Sequence, residues 1–283
     1  MSFEGNNVII FGGTGTIGTI FAEVFLSNYK KINIYLATNN EFEIWEAKNK
    51  YKDISNIHIV FADIRDREET RKLFINLNPV WVINCAALKH LDYCEDFVMN
   101  SIKTNIMGLE NLLYLSNEYH ISKVLQVSTD KAVEPISVMG ATKMLGEKLC
   151  REWNKVMGGI SCIRLGNVVD SRGSLIPTIK KQLEKGNEVY YTDALMYRYL
   201  ITINQLKKFI KKVLERMIGG EIFIPKQKEF NIKEFIEEIT FSNPEVKLIK
   251  IGRRKGEKYR EKLFSEYEEK FEETDDFYIF NLG

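Results

Sequence analysis

Four polar residues, Ser128-Thr129-Asp130-Lys131, close one apolar run of the sequence. The run Val124–Ser128 predicts a buried strand, and open parallel sheets bind their ligands outside the carboxyl ends of the strands. A hydroxyl, a carboxylate and an amine at such a place could relay, donate and remove protons. We therefore expect catalytic chemistry at Thr129, Asp130 and Lys131.

A second candidate pair opens the next predicted helix, Val138–Met157. Met139 and Lys143 are four residues apart, so they share one face of that helix. The amine of Lys143 can polarise a site, whereas the thioether of Met139 cannot accept a proton. A proton acceptor for this site must therefore come from another residue.

The N-terminal region has the order strand, glycine-rich turn and helix that binds dinucleotides. The predicted strand Val8–Phe11 leads into a turn in which Gly12 permits the tight bend. Gly15 lets the backbone approach a pyrophosphate, and Gly18 lets the helix pack closely on the strand. The N–H groups at the start of the predicted helix Ile17–Tyr29 face the phosphates. An NAD(P) site is expected here, with contacts from Gly12, Thr14, Gly15, Thr16, Ile17 and Gly18.

The residues expected to contact the adenosine half of the cofactor do not indicate whether that cofactor is NAD or NADP. After the second predicted strand, 34–36, the run Ala37-Thr38-Asn39-Asn40 offers neither an acidic residue for a ribose 2′-hydroxyl nor an arginine for a 2′-phosphate. Asp63 is expected either to accept from the adenine amino group or to cap the following helix. Further cofactor contacts are expected at Thr38, Asn39, Asp63, Ile64, Ala86, Ala87, Lys89, Asn105 and Lys143.

Strand-like and helix-like segments alternate through the first 166 residues, which predicts an α/β fold with a Rossmann-type, doubly wound parallel sheet. The expected strands are 8–11, 32–36, 57–61, 80–85, 124–128 and 160–165, and the expected helices are 17–29, 67–77, 96–119 and 138–157.

The rhythm changes after Gly166, where glycine, proline and tyrosine interrupt the alternation. We expect an NAD(P)-binding domain at 1–166 and a small substrate-binding α/β portion at 167–283, with residues 199–224 able to return to the first domain. The Lys/Glu-rich segment Arg253–Glu273 is expected to be a solvated helical surface.

Composition argues against several classes of protein. A formal net charge of +1 gives no basic surface for nucleic acid or for a membrane. The four cysteines lack metal-ligand spacing, so we expect no metal site and buried, reduced thiols. The sequence shows no signal peptide and no apolar run of membrane-spanning length, and a cytoplasmic protein is expected.

Motifs along nearly the whole chain resemble one family, the polysaccharide-biosynthesis branch of the extended short-chain dehydrogenases/reductases. That branch includes UDP-N-acetylglucosamine 4,6-dehydratases, both 5-inverting and retaining. The matching motifs are Gly12-x-x-Gly15-x-x-Gly18, Ala86-Ala87-Leu88-Lys89-His90, Thr104-Asn105, Ser128-Thr129-Asp130-Lys131, Met139-Gly140-Ala141-Thr142-Lys143, Arg164-Leu165-Gly166-Asn167-Val168, Ser171-Arg172-Gly173-Ser174, Arg198-Tyr199 and Gly256-Glu257-Lys258.

The resemblance implies oxidation of the sugar at C4 by bound NADP, loss of water across C5 and C6, and return of the hydride to C6. It implies that Asp130 acts as general acid on the C6 hydroxyl, that Lys131 removes the C5 proton, and that Lys143 binds the nicotinamide ribose. Met139 stands where the family's Tyr-x-x-x-Lys pair has its tyrosine, as in some other members of the branch. The C4 hydroxyl proton must therefore pass to Thr129 as a relay or directly to Asp130, and the sequence leaves both routes open.

The resemblance also implies a UDP-sugar substrate and a homo-oligomer. Substrate contacts are expected at Lys89, His90, Asn167, Arg172, Ser174, Arg198 and Glu257. NADP is the implied cofactor, with NAD as the alternative because Asn39 replaces a frequent arginine. Two other functions stay open: a nucleotide-sugar 4-epimerase, which needs no C5 base, and a non-catalytic NAD(P)-binding regulatory protein.

Overall fold

The computed structural model describes residues 6–171 and 175–282, in which strands and helices alternate. The strands are β1 (Asn7–Phe11), β2 (Asn33–Thr38), β3 (Ile57–Phe61), β4 (Trp81–Asn84), β5 (Lys123–Thr129), β6 (Ile160–Leu165), β7 (Asn167–Val168), β8 (Glu188–Tyr191), β9 (Tyr197–Ile201), β10 (Glu221–Pro225), β11 (Lys228–Asn231), β12 (Lys247–Lys250), β13 (Lys270–Glu273) and β14 (Phe277–Asn281). The α-helices are α1 (Thr16–Asn28), α2 (Glu41–Lys50), α3 (Arg67–Leu77), α4 (Leu91–Asp96), α5 (Val98–Ile102), α6 (Gly108–Glu118), α7 (Val138–Met157), α8 (Leu175–Leu183), α9 (Ile203–Arg216) and α10 (Ile232–Thr240). A π-helical turn spans Lys103–Met107, and a 3₁₀ turn spans Asp130–Ala132.

The largest sheet has the strand order β13-β14-β10-β6-β5-β4-β1-β2-β3. Its strands from β3 to β10 run parallel, and β14 and β13 extend it with antiparallel pairs. The chain builds outward from β1 to β3 and then returns to place β4 on the other side of β1. This is the Rossmann strand order, which leaves a crevice at the carboxyl ends of β1 and β4. The predicted doubly wound parallel sheet is confirmed.

Helices cover both faces of this sheet and create two apolar cores. One core contains Phe21 and Phe25 of α1 with Phe209 of α9, and the other contains Leu112 of α6 with Cys150 of α7. Strands that are covered on both sides need apolar residues at every position, which explains the continuous apolar runs of the sequence. Within the described ranges, no helix combines the length and the apolarity that crossing a membrane requires.

The chain after Gly166 contributes to the main sheet as well as to a smaller unit. Strand β10 pairs with β6, β14 pairs with β10, and α9 packs beside α1. Around them, β9 pairs with β7 and β11, and β8 pairs with β12. Ile179, Val189 and Ile236 form a separate apolar cluster in this smaller unit.

The region predicted as one helix, Asp96–Tyr119, is interrupted at Phe97 and again by the π-helical turn. Within that turn, Asn105 accepts from the backbone N–H of Leu88 at 2.8 Å and donates to the Leu88 carbonyl at 3.0 Å. The prediction of a single helix was wrong because the apolar pattern continues across a turn whose irregular backbone is held by this tertiary contact.

The segment Arg253–Glu273, predicted as a solvated helix, is irregular up to β13, and its Glu261 is only 2% exposed. The buried Arg164 of β6 holds this segment against the sheet. Its guanidinium donates to Glu147 of α7 at 2.7 Å and to Glu268 of the segment at 2.7 Å. The prediction was wrong because these carboxylates pair with cations inside the protein instead of facing solvent.

Replacing Arg164 with Met should lower the free energy of unfolding by about 3–5 kcal/mol, because buried carboxylates lose their cation. Burial opposes the charge of Arg164, but Glu147 and Glu268 outweigh burial and raise its pKa. As a control, Lys211→Met in the exposed pair with Glu215 should change this free energy by no more than about 0.5 kcal/mol. Urea denaturation measures the free energy of unfolding of both variants. Equal losses in the two variants would contradict the stabilising role of Arg164.

Candidate functional site

A cavity of about 900 Å³ opens at the carboxyl ends of β1, β4 and β5, in the crevice that the strand order creates. Its walls come from the glycine-rich turn, the ends of β2 and β3, the segment after β4, and α7. Predicted site residues that line it are Gly12, Thr14, Gly15, Thr16, Ile17, Thr38, Asn39, Asp63, Ile64, Ala86, Ala87, Lys89, His90, Thr129, Lys131, Met139, Lys143 and Asn167.

The glycine-rich turn has the shape that a pyrophosphate requires. Gly12 adopts a φ of 67°, and a Cβ atom there would lie 2.7 Å from the backbone nitrogen of Ala86. At Gly18 a Cβ would lie 2.5 Å from the Gly12 carbonyl, so this glycine serves the packing of α1 and is not among the lining residues. Helix α1 begins at Thr16 without a side-chain cap, and its first residues line the cavity. This turn fits a dinucleotide pyrophosphate.

At the end of the cavity beside β2 and β3, Asp63 and Arg65 form an ion pair. Hydrogen bonds from Arg65 lower the pKa of Asp63 to about 2, and Asn39 also donates to this carboxylate at 3.0 Å. Helix α3 is capped by Asp66, whose side chain accepts from Glu69 N–H at 3.0 Å. The alternative role of Asp63 as the cap of that helix is therefore excluded.

The segment after β4 brings small and polar residues to the cavity. Ala86 and Ala87 line it where the chain leaves the strand, followed by Lys89 and His90. Asn105 lies outside the lining residues, because its side chain is occupied by the Leu88 backbone and by Thr142. Asn105 therefore holds this segment in place through its hydrogen bonds.

The three polar residues at the end of β5, Thr129, Asp130 and Lys131, form one hydrogen-bonded unit. Asp130 is fully buried and is not among the residues that line the cavity, whereas Thr129 and Lys131 are. Its Oδ1 accepts from Thr129 Oγ1 at 2.8 Å and from Lys131 Nζ at 2.9 Å. Its Oδ2 is buried and has no hydrogen-bond partner among the described residues. Asp130 is thus connected to the cavity by its hydrogen bonds with Thr129 and Lys131.

Lys131 also meets groups from the C-terminal part of the chain. Its Nζ lies 3.4 Å from Asn167 Oδ1 and 3.9 Å from Glu261 Oε1. Lys258 approaches the other oxygen of Glu261 at 3.3 Å. Asp130 and Glu261 both lie near Lys131, and Lys258 lies near Glu261, so two buried carboxylates and two amines are grouped beside the cavity.

Met139 and Lys143 lie on the same face of α7 and both line the cavity. Gly140 between them packs against the 3₁₀ turn, where a Cβ would lie 2.4 Å from the Lys131 carbonyl. Lys143 Nζ donates to the carbonyl of Val127 at 2.8 Å, and burial lowers the pKa of this lysine. Helix α7 therefore brings an amine whose pKa is lowered and an apolar side chain up to the polar unit.

The predicted substrate residues are divided in space. Asn167 lines the cavity, but Arg198 and Glu257 do not; they pair with each other at 3.1 Å. Arg198 also donates to the carbonyl of Tyr197 at 2.7 Å. Arg172 and Ser174 lie outside the described residues.

Two acidic residues near the cavity escaped the sequence reasoning. Glu43 lines the cavity from α2, a helix without a clear amphipathic pattern because Ala47 is its one buried residue. Glu261 lies in a charged run that looked solvated. The Gly256-Glu257-Lys258 motif beside Glu261 was the available signal for it, and only the fold shows that the run reaches Lys131.

A family model for "Polysaccharide biosynthesis protein" matches residues 8–281. A UDP-N-acetylglucosamine 4,6-dehydratase (inverting) of Campylobacter jejuni is 36% identical over 269 residues, which is 93% of this chain and 78% of that protein. A UDP-glucose 4-epimerase of Rickettsia rickettsii is 32% identical and covers 94% of this chain and 80% of its own length.

The crystal structure of Pen from Bacillus thuringiensis superposes with a TM-score of 0.91 at 30% identity, covering 99% of this chain and 89% of Pen. The glycine-rich turn, the strand order and these matches over nearly the full length agree. The chain belongs to the polysaccharide-biosynthesis branch of the extended short-chain dehydrogenases/reductases.

Proposed function

We propose that this protein is a nucleotide-sugar 4,6-dehydratase that converts UDP-N-acetylglucosamine into a 4-keto-6-deoxy sugar for surface-glycan or glycoprotein-sugar synthesis. One observation carries the proposal: a buried carboxylate, Asp130, is joined by hydrogen bonds to a hydroxyl and an amine that both line the cavity. Dehydration needs an acid and a base on neighbouring carbons, and this unit can supply both.

Bound NAD(P)⁺ would take a hydride from sugar C4 and return it to C6 within each turnover. The glycine-rich turn and the N-terminus of α1 would hold its pyrophosphate, and Lys143 would hold the nicotinamide ribose. Ala86 and Ala87 leave room for the cofactor after β4. The resemblance implies NADP as this cofactor, with NAD as the alternative.

The protons of this reaction can be balanced by Thr129, Asp130 and Lys131. Thr129 receives the C4 hydroxyl proton and passes its own proton to Asp130, a relay that the 2.8 Å contact favours over direct transfer to the buried carboxylate. Lys131 removes the C5 proton, which the C4 ketone makes acidic, while Asp130 protonates the departing C6 hydroxyl. The proton taken from C4 thus leaves as part of the water, and Lys131 returns a proton to C5.

The nucleotide of the substrate would bind to the part of the chain after Gly166. This follows the expected division into an NAD(P)-binding domain and a substrate-binding portion. Asn167 supports this assignment because it lines the cavity and reaches Lys131 Nζ at 3.4 Å. Arg198 and Glu257 would support the substrate subsite indirectly, by fixing the smaller unit through their ion pair.

We also propose a homo-oligomer, built on the helices that follow β4 and β5. Exposed apolar side chains on these helices support it: Phe97 is 50% exposed, Met99 59% and Leu145 45%. A lone exposed apolar side chain is ordinary, but a group of them on adjacent helices is typical of a protein contact.

A 4-epimerase is the second candidate, because the Rickettsia relative carries that name at 32% identity. An epimerase returns the hydride to C4 and needs neither a C5 base nor a C6 acid, so Lys131 and Asp130 favour dehydration. The purified protein, incubated with UDP-N-acetylglucosamine and NAD or NADP, should give a product lighter by one water in mass spectrometry. A product of unchanged mass would indicate epimerisation, and binding of the cofactor without turnover would indicate a regulatory protein.

Lys131→Met should lower the rate of water loss by about 100-fold or more, the usual cost of removing a general base. In deuterated water the unchanged protein should place deuterium at C5 of the product, and the variant should lose that exchange in parallel. Lys262→Met is the matched control, because Lys262 is an exposed lysine that pairs with Glu134. Equal rates for the two variants would exclude Lys131 as the base.

Thr129→Val should lower the rate by about 100-fold, because the variant lacks the hydroxyl that joins the cavity to Asp130. Thr129→Ser keeps a hydroxyl and should keep most of the activity. Met139→Tyr should retain or raise the rate, since a phenol at this cavity position offers a second proton acceptor. Steady-state rates of product formation test the series, and full activity in Thr129→Val would refute the relay.

A further inference from the structure

Two charged side chains from the segment between β12 and β13, Lys258 and Glu261, lie beside the proposed base Lys131. The Glu261 carboxylate is 2% exposed. Its Oε1 lies 3.9 Å from Lys131 Nζ, and its Oε2 lies 3.3 Å from Lys258 Nζ. This buried carboxylate therefore has an amine near each of its oxygens.

Backbone contacts hold this ion pair in place. Lys258 Nζ donates to the carbonyl of Val133 at 2.6 Å, and the Val133 N–H closes the 3₁₀ turn that contains Lys131. Next to Glu261, Arg260 forms an isolated β-bridge with Tyr197 of β9. The Lys258–Glu261 pair is therefore anchored both to the turn of the proposed base and to the smaller unit.

Titratable groups approach Lys131 from several elements. Asp130, on the same turn, accepts from Lys131 Nζ at 2.9 Å. Burial raises the pKa of Tyr199 on β9, and Glu229 and Asp130 add to the rise, so this phenol near Asp130 stays protonated. Other titratable groups that line the same cavity are Lys143 of α7, and Lys89 and His90 after β4. Asp130 gains and loses a proton in the proposed cycle, whereas Glu261 takes no part in those transfers.

The two members of the ion pair act on Lys131 in opposite directions. A carboxylate within about 4–6 Å of an amine favours its protonated form, and a nearby ammonium disfavours it. Burial of Glu261 reduces the screening of these charges by water. A base must lose its proton before it can accept one from carbon. The balance within the pair therefore bears on the fraction of Lys131 that can act as a base.

We propose that the Lys258–Glu261 ion pair sets how readily Lys131 gives up its proton: Glu261 stabilises the ammonium form, and Lys258 limits that stabilisation. Both are positioning residues, because they act through Lys131 and not on the sugar. The inference rests on the proposed function for the role of Lys131 as the C5 base. The effect of the pair on the charge of Lys131 does not require dehydration.

Competitive labelling of the full chain with acetic anhydride over a range of pH tests the effect at Lys131 itself, since this reagent acylates the unprotonated amine. Peptide mass spectrometry gives the midpoint of Lys131 labelling. Glu261→Gln removes the negative charge and should move the midpoint to a pH lower by about 1. Lys258→Met leaves Glu261 without its cation and should move the midpoint to a pH higher by about 1.

The pH dependence of water loss from UDP-N-acetylglucosamine should follow the labelling. The acid-side limb of kcat should move to lower pH in Glu261→Gln and to higher pH in Lys258→Met, because unprotonated Lys131 is the active form. The double variant loses both charges and should return close to the unchanged protein. Lys258→Arg keeps the positive charge and should keep the midpoint. Lys262→Met, from the exposed pair with Glu134 in the same segment, is the matched control and should shift neither profile.

Shifts in the same direction for Glu261→Gln and Lys258→Met would overturn the proposal, because loosening of the segment would affect both variants alike. A Lys258→Arg variant that shifts as far as Lys258→Met would also overturn it. Opposite labelling shifts without turnover of the UDP-sugar would support the effect of the pair and refute the proposed dehydration. Turnover with unshifted labelling would support the dehydration and overturn this inference.

Discussion

The buried guanidinium of Arg164 is the interaction on which the arrangement of the site depends. It joins β6, α7 and the C-terminal segment by pairing with Glu147 and Glu268. Glu147 in turn accepts from Ser128 at 2.6 Å. Ser128 directly precedes Thr129, Asp130 and Lys131 in the chain. A planar group with several donors suits this task, because it can bind two carboxylates at once in a fixed geometry. The same cation therefore fixes the end of β5, the helix that carries Met139, and the segment that brings Glu261 to Lys131.

The two ends of the cavity use carboxylates in different ways. At the β5 end, Asp130 is fully buried, and a threonine hydroxyl and a lysine connect it to the cavity. At the β2 end, Glu43 lines the cavity itself, and its Oε2 accepts from Thr14 and Thr38. Burial suits a group that exchanges protons through neighbours, since it keeps bulk water away from the carboxylate.

The sequence predicts the sheet well, and it places Thr129 and Lys131 at the cavity, because both depend on local patterns. Apolar runs of strand length and the glycine spacing define the positions of β1 to β6. The polar residues that follow Val127 then lie at the carboxyl end of that strand. The sequence does not predict the structure where a contact between residues far apart in the chain decides it. The π-helical turn depends on Asn105 meeting Leu88, and the burial of Glu261 depends on Lys131 and Lys258. Arg198 was expected at the substrate because arginine suits phosphate, yet its partner in the fold is Glu257.

The vacant tyrosine position also follows from this arrangement. A tyrosine in the family's position would deliver a proton acceptor from α7, the helix that packs against β5. In this chain α7 presents Met139, while the hydroxyl of Thr129 already lies 2.8 Å from a buried carboxylate at the end of β5. In the proposed mechanism the acceptor and the later donor of the proton are the same group, so a proton removed at C4 would need no path through solvent before it leaves with the C6 hydroxyl. Under the proposed mechanism, Met139 can occupy the tyrosine position because proton transfer lies with the end of the strand and not with the helix.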